Sequence, residues 1–315
     1  MTSSEERQML QETVAALIDK HASSAAVRAA MESPRGYDES LWTLLCEQVG
    51  VAALVVPEEF GGSGGELADA AVVLEELGRA LVPTPLLGTT LAELALLAAE
   101  QPDSELLEQL AAGAVIGTVA FDPDYVVNGD IADVVIGLDG AQLQRWADVT
   151  TEVTPTVDPT RRLARVTAGS AEPLGEDPGL ADIASILLAA EQIGAATRCL
   201  ELTVDYTKER VQFGRPIGSF QALKHRMADL YVAVQSARAL VGDAIADPNP
   251  VSAALARLSA SEAFTTVAGE AIQLHGGIAI TWEHDIQLYF KRAHGSAQLF
   301  GPPRDQLRRL ESQVF

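Results

Sequence analysis

Cysteine, aromatic residues and positive charge are all scarce in this 315-residue chain. Its two cysteines, Cys46 and Cys199, each sit in an apolar helical stretch with no Cys-x-x-Cys and no histidine at ligand spacing. That pattern excludes a disulfide framework and a zinc site and makes both thiols core-packing residues. Lysine and arginine number 22 against 44 aspartates and glutamates, a net charge of −22. So acidic a chain offers no general surface for nucleic acid or an anionic membrane, and its excess charge reads as a solvated face that keeps it soluble. The apolar runs are interrupted by charge well short of the roughly 20 residues of a membrane span. Met1 to Arg7 are polar and acidic, without the apolar segment of a secretory signal. A reducing cytoplasm is the expected location.

What is abundant is alanine and leucine within a 48% hydrophobic composition, which favours helices packed on helices, and the length permits two or three domains. Residues 1–113 read as an all-α domain. Leu10, Val14, Leu17 and Ile18 recur at helical spacing across Glu6–Ala22. Asp38-Glu39-Ser40 opens a helix that Gly50 closes. Further helices are expected over Ala68–Leu81, stopped by Val82-Pro83-Thr84-Pro85, and over Thr89–Glu100 and Ser104–Ala112. Residues 114–176 change character: Val115–Phe121, Asp133–Leu138 and Arg162–Val166 are short β-like runs separated by turn signals such as Asn128-Gly129-Asp130. From 177 to 315 long helical runs return over Leu180–Arg210, Phe220–Ala246, Val251–Leu274 and Trp282–Leu299, joined by short loops, and predict an antiparallel four-helix bundle. There is no internal repeat.

Three separated segments carry more than periodicity. Glu209-Arg210-Val211-Gln212-Phe213-Gly214-Arg215-Pro216-Ile217 is followed by Phe220-Gln221; Ile272-Gln273-Leu274-His275-Gly276-Gly277 lies downstream; Val56-Pro57-Glu58-Glu59-Phe60-Gly61-Gly62 and Leu74–Arg79 lie upstream. In this order they resemble the acyl-CoA dehydrogenase family, strongly over 51–79 and 186–301 and weakly in the middle. The resemblance implies that family's fold, with an N-terminal helical domain, a middle β domain shorter here than usual, and a C-terminal four-helix bundle. It also implies FAD. A pyrophosphate asks for guanidinium or backbone N–H donors, and in so acidic a protein the donor must be local. By resemblance Arg210 is that donor, Phe213 packs on the cofactor, Gln221 reaches the phosphate or adenine portion, and Gln273, Gly276 and Gly277 line the ADP half. In the family these groups reach the flavin of a neighbouring subunit. Taken alone, Arg210 and Gly214 would fit an ordinary helix C-terminus.

The departures from the family are as informative. Its flavin-ring motif, Thr-Glu-Pro-x-Ala-Gly-Ser-Asp, has no counterpart between Ala114 and Pro178; the nearest text is Ala120-Phe121-Asp122-Pro123-Asp124. The family's base is a glutamate that removes the α-proton of an acyl-CoA thioester, which needs a carboxylate desolvated enough to work near neutral pH. In ungapped register, 23 residues beyond Gly277, that position holds Phe300, followed by the expected Gly301. The alternative base position, on the helix before Arg210, is Ala184. Glu191, 22 residues before Phe213 in an apolar setting, is the remaining local candidate, although a buried helix-packing glutamate is the commoner case. Glu283 reads as structural, Trp282, His284 and Asp285 as loop and helix-start residues, and His225 and His275 as packing or cofactor-lining.

Such a chain resembles the short subunits of bacterial α2β2 acyl-CoA dehydrogenases that act on steroid-derived thioesters. The implied partners are a longer acyl-CoA dehydrogenase subunit in a heterotetramer, which supplies the glutamate and the flavin-ring contacts, an acyl-CoA substrate shared with that subunit, and an electron acceptor. Two other readings compete: a helical scaffold or regulatory subunit without flavin, and a self-sufficient homo-oligomer using Glu191.

Overall fold

A computed structural model describes residues 4–314 of the chain; Met1–Ser3 of the expected first domain and Phe315 of the last lie outside the described residues. Six helices come first: α1 (Ser4–His21), α2 (Ser24–Glu32), α3 (Glu39–Val49), α4 (Leu67–Arg79), α5 (Leu86–Leu97) and α6 (Ser104–Ala111). α3 begins and ends as its sequence predicts. The Asp38 carboxylate accepts from the N–H groups of Ser40 and Leu41, and Gly50 turns left-handed at φ 74°, satisfying terminal N–H and C=O groups that the helix cannot. α2 was not expected. It is nine residues long and buries only Val27 and Ala30, shorter than the roughly 11–18-residue window over which helical periodicity is read.

The middle of the chain forms two small sheets. Strands β1 (Gly117–Ala120), β3 (Val134–Asp139), β4 (Gln142–Ala147) and β7 (Ser170–Glu176) pair in the order β1-β3-β4-β7, with β1 and β3 parallel. β2 (Val126–Val127), β6 (Leu163–Thr167) and β5 (Thr150–Thr154) make the second sheet, in the order β2-β6-β5. The three β-like runs of the sequence correspond to β1, β3 and β6. β5 and β7 went unread because they are largely solvated and contain no buried residue, and β4 because it buries only Leu143 among half-buried neighbours, so no apolar run marks them.

The C-terminal helices are α7 (Leu180–Glu209), α8 (Gln221–Ala246), α9 (Pro250–His275) and α10 (Ile286–Gln298), with a two-stranded hairpin, β8 (Val211–Gln212) and β9 (Arg215–Pro216), between α7 and α8. α10 starts four residues later than the sequence predicts, because Gly276–Ile280 forms a 3-10 turn and Asp285 immediately precedes the helix. An unpredicted fifth helix, α11 (Pro303–Val314), follows; its charged sequence hides it. α7 is long and apolar enough to cross a membrane by length and composition, an apolar stretch longer than the sequence reading allowed. Yet 78% of its most apolar window is buried inside the fold, as a core helix is.

α7 organises the molecule. It packs against α9, α4 and α8. The α4–α7 crossing brings backbone against backbone at two glycines. A Cβ on Gly194 would lie 1.9 Å from the Glu75 carbonyl oxygen, and one on Gly78 would lie 2.2 Å from that of Glu191. Any side chain there would force the helices apart. Cys199 is wholly buried and Cys46 partly so. Burial pushes the Cys46 thiol up to about 12 and raises that of Cys199 also, leaving both protonated and inert.

Candidate cofactor site

The six candidate flavin-contacting residues lie at one end of the bundle, on segments that α7, α8 and α9 bring together. α7 ends at Glu209, and Val211–Pro216 turns back as the β8–β9 hairpin through Phe213 and Gly214. Both residues have positive φ, 53° and 75°, the requirement of a tight type I′ connection. Phe213 is a bulky residue held in this disfavoured region and is 92% exposed. Its position costs energy and is not repaid by burial within the chain. Phe220 meets Phe213 edge to face at 6.2 Å between centroids, and the Arg215 guanidinium stacks over Phe220 at 3.9 Å. Gln221 opens α8 and is exposed.

Tyr206 and His275 tie this end of α7 to the end of α9. Their rings stack at 4.2 Å, and the Tyr206 hydroxyl donates to the His275 carbonyl at 3.2 Å. Arg210, one turn beyond Tyr206, is exposed, and its guanidinium has no hydrogen-bond or ion-pair partner among the described residues. Gln273, Gly276 and Gly277 are exposed as well, and among the described residues nothing beyond their chain neighbours lies within 4 Å of where a Cβ on either glycine would be. A free guanidinium, an exposed aromatic, two amide side chains and an open Gly-Gly backbone suit a phosphate-bearing ligand with a planar base. They form an outward face, not an enclosed pocket. His275 donates through Nδ1 to the Ala271 carbonyl oxygen at 2.8 Å, and burial lowers its pKa and that of its neighbour His284. The sequence reading gave Arg215, though part of the motif, no role of its own and did not single out Tyr206. Only the Arg-Pro after Phe-Gly hinted at the first, and nothing distinguished the second from any helical tyrosine.

The two base positions are apolar. Ala184 is fully buried in α7. Phe300, at φ 56°, packs edge to face against Phe121 with ring centroids 5.1 Å apart. Arg257, 1% exposed, sets this turn: its Nη2 donates to the carbonyl oxygens of Ser296 and of Leu299, the latter at 2.8 Å, and its Nη1 donates to Gln192 and Ser261. Burial lowers this guanidinium to about 9, still charged at neutral pH, where it neutralises the carbonyl end of α10.

Glu191 is buried and clamped. One of its carboxylate oxygens accepts from both Arg161 and Arg292. Arg292 also binds Asp158 at 2.7 Å and the Thr160 hydroxyl and carbonyl at 2.6–2.9 Å. Burial alone would raise the carboxyl pKa, but the two guanidinia outweigh it and hold Glu191 below the usual carboxylate range. An ionised carboxylate shared by two arginines is a weak proton acceptor. Asp158, Thr160 and Arg161 belong to the segment between β5 and β6, so this cluster fastens the β region to α7 and α10. A cavity of about 30 Å³ adjoins it; a cleft of about 870 Å³ lies apart, lined by α1, α2, α4, α7, α8 and α10, and none of the six candidate residues lines it. Among the other residues weighed from sequence, His225 and Glu283 are exposed, and Asp285 is ion-paired to Arg28.

A helical, β and helical fold in that order defines an acyl-CoA dehydrogenase-type architecture, and the chain belongs to the acyl-CoA dehydrogenase family of oxidoreductases. The family's N-terminal domain profile matches residues 4–114 and its C-terminal domain profile residues 181–313. The chain is 70% identical over 315 residues to acyl-CoA dehydrogenase IpdE2 of Mycobacterium tuberculosis, covering 100% of this chain and 99% of that one. It is 71% identical over 312 residues to IpdE2 of Mycolicibacterium smegmatis, covering 99% and 100%. Among solved structures it is similar to the Tcur3481–Tcur3483 steroid ACAD G363A variant, with TM-score 0.90, 29% identity and 98% of each chain covered. It is also similar to the ChsE4–ChsE5 complex of Mycobacterium tuberculosis, with TM-score 0.89, 25% identity and coverage of 99% and 98%.

Proposed function

We propose that this chain is the subunit of a heteromeric acyl-CoA dehydrogenase that supplies the ADP-side contacts of FAD, while a longer related subunit supplies the catalytic glutamate and the flavin-ring contacts. The observation that carries this reading is a division within one chain. Arg210, Phe213, Gln221, Gln273, Gly276 and Gly277 lie exposed on one end of the bundle, whereas the base position is Phe300 packed on Phe121. Bound FAD would accept the hydride lost from the acyl group. Arg210 would hold the pyrophosphate by charge-assisted hydrogen bonds, Phe213 would cover the cofactor and shed the exposure it has in the free chain, and the Gly276–Gly277 backbone would allow close approach. No residue of this chain is assigned the α-proton; the caged, ionised Glu191 argues for a structural role there. Two of the structurally similar proteins are named as a complex and as a steroid ACAD, which favours a paired subunit, a dimer of heterodimers and a steroid-derived acyl thioester shared with the partner. Cytoplasmic location and transfer of electrons to a separate acceptor belong to the same proposal.

The test is to purify the chain alone and with co-expressed longer acyl-CoA dehydrogenase subunits, and record flavin absorbance and acyl-CoA-dependent reduction of an artificial acceptor. Flavin and turnover are expected only in the complex. A stable, yellow, fully active homotetramer of this chain would refute the proposal.

A further inference from the structure

The segment that carries Gly276 and Gly277 is gripped from two sides. It leaves α9, forms the 3-10 turn Gly276–Ile280 and reaches α10 at Ile286, presenting Ile278 and Ile280 outward, the latter 76% exposed. From the bundle side, the His275–Tyr206 stack holds its start, and the His284 ring meets the His275 ring edge to face at 4.8 Å. The other grip comes from α2, some 250 residues earlier in the chain. Arg28 Nη2 donates to Asp285 Oδ1 at 2.7 Å, and the Ser24 hydroxyl donates to the same oxygen at 2.6 Å. The Arg28 guanidinium also lies 5.4 Å from the centre of the Trp282 ring, and Lys291 Nζ lies 5.0 Å from it. Ser24 and Arg28 are four residues apart and share one face of α2. The Arg28 side chain is only 17% exposed, so its bonds to the loop are partly shielded from water.

We infer that Arg28, supported by Ser24, is a positioning residue that holds the 276–285 segment in its binding shape. This rests on the reading of Gly276–Gly277 as a flavin contact. α2 buries little of its own and is too short to persist unaided, yet it directs two polar side chains onto one oxygen at the far end of this loop. Fixing a loop before its ligand arrives removes an ordering cost from binding. Losing the brace therefore weakens the cofactor's hold without removing any atom that touches it.

The test uses the assembled complex, with Arg28→Ala, Arg28→Lys and, as a reference for direct contact, Gln273→Ala. Two quantities are read: hydrogen exchange of the 276–285 amides and the dissociation constant for FAD. Arg28→Ala is expected to speed exchange across 276–285 and to weaken FAD roughly tenfold, with Arg28→Lys recovering part of both. Asp285→Asn, on the partly exposed side of the same ion pair, replaces Arg28→Ala if that variant does not fold, with the same expectation. Unchanged exchange in Arg28→Ala overturns the inference. Faster exchange with unchanged FAD affinity, while Gln273→Ala loses FAD, removes the positioning role and leaves the proposed function standing. If neither variant alters FAD affinity, the assignment of this loop to flavin falls and the positioning role falls with it.

Discussion

Replacing Glu191 by glutamine separates a structural carboxylate from a catalytic one. Glu191 is the buried anion between Arg161 and Arg292. Arg292 would keep Asp158 and Thr160, but Arg161 would lose its one direct acidic partner among the described residues. Breaking a buried ion pair from one side leaves an uncompensated charge and costs about 3–5 kcal/mol. At about 2.1 cal/mol/K of unfolding entropy per residue, a 315-residue chain unfolding cooperatively would lose about 5–8 °C in Tm. The pH dependence supplies a second check. The Glu191 pKa is lowered in the fold, so its stabilisation is complete above the unfolded value of about 4.3 and is lost as pH falls through the lower folded value. The gap between parent and Glu191→Gln should therefore be full at pH 7 and close in acid. Scanning calorimetry across pH, paired with turnover at matched flavin content, measures both. A Glu191→Gln complex that melts like the parent but has lost turnover by 10²-fold or more, the scale of general-base catalysis, would refute the argument and make this subunit catalytic.

Three further outcomes are expected. Arg210→Ala should lower FAD retention of the complex on dialysis by roughly tenfold, whereas unchanged flavin content would place the guanidinium away from the pyrophosphate. Phe300→Glu should create no dehydrogenase in the chain alone, because the proposed function gives the flavin-ring contacts to the partner subunit and the new carboxylate would face Phe121; acyl-CoA-dependent acceptor reduction by that variant would contradict this. Glu93 is fully buried with neither carboxyl oxygen hydrogen-bonded among the described residues, and burial raises its pKa well above the usual value. Its acid form suits the fold, so stability is greatest below the unfolded value of about 4.3 and is lost as pH rises; Glu93→Leu should raise Tm at pH 8 by more than at pH 4, and an equal shift at both would show the carboxyl to be solvated.

The sequence by itself determined the order of helical, β and helical regions and the location of the long bundle helices, because helix periodicity, the Asp38 and Gly50 caps and the short loops between long helical runs are local signals. It also marked Arg210, Phe213, Gln221, Gln273, Gly276 and Gly277 as a set and singled out Phe300 and Ala184 as positions without a carboxylate. Tertiary structure decided the rest. Glu191 looked like a possible base until Arg161 and Arg292, 30 residues before it and 101 after it, were found on the same oxygen; a charge's surroundings, and hence its pKa, are set by segments that only folding brings together. The solvated strands β5 and β7 and the half-buried β4 left no apolar run to read. α2 hid because it is short, and its part lies in where Ser24 and Arg28 point. Only the fold places these two side chains against Asp285, because a hydrogen bond across some 250 residues of chain has no local signature.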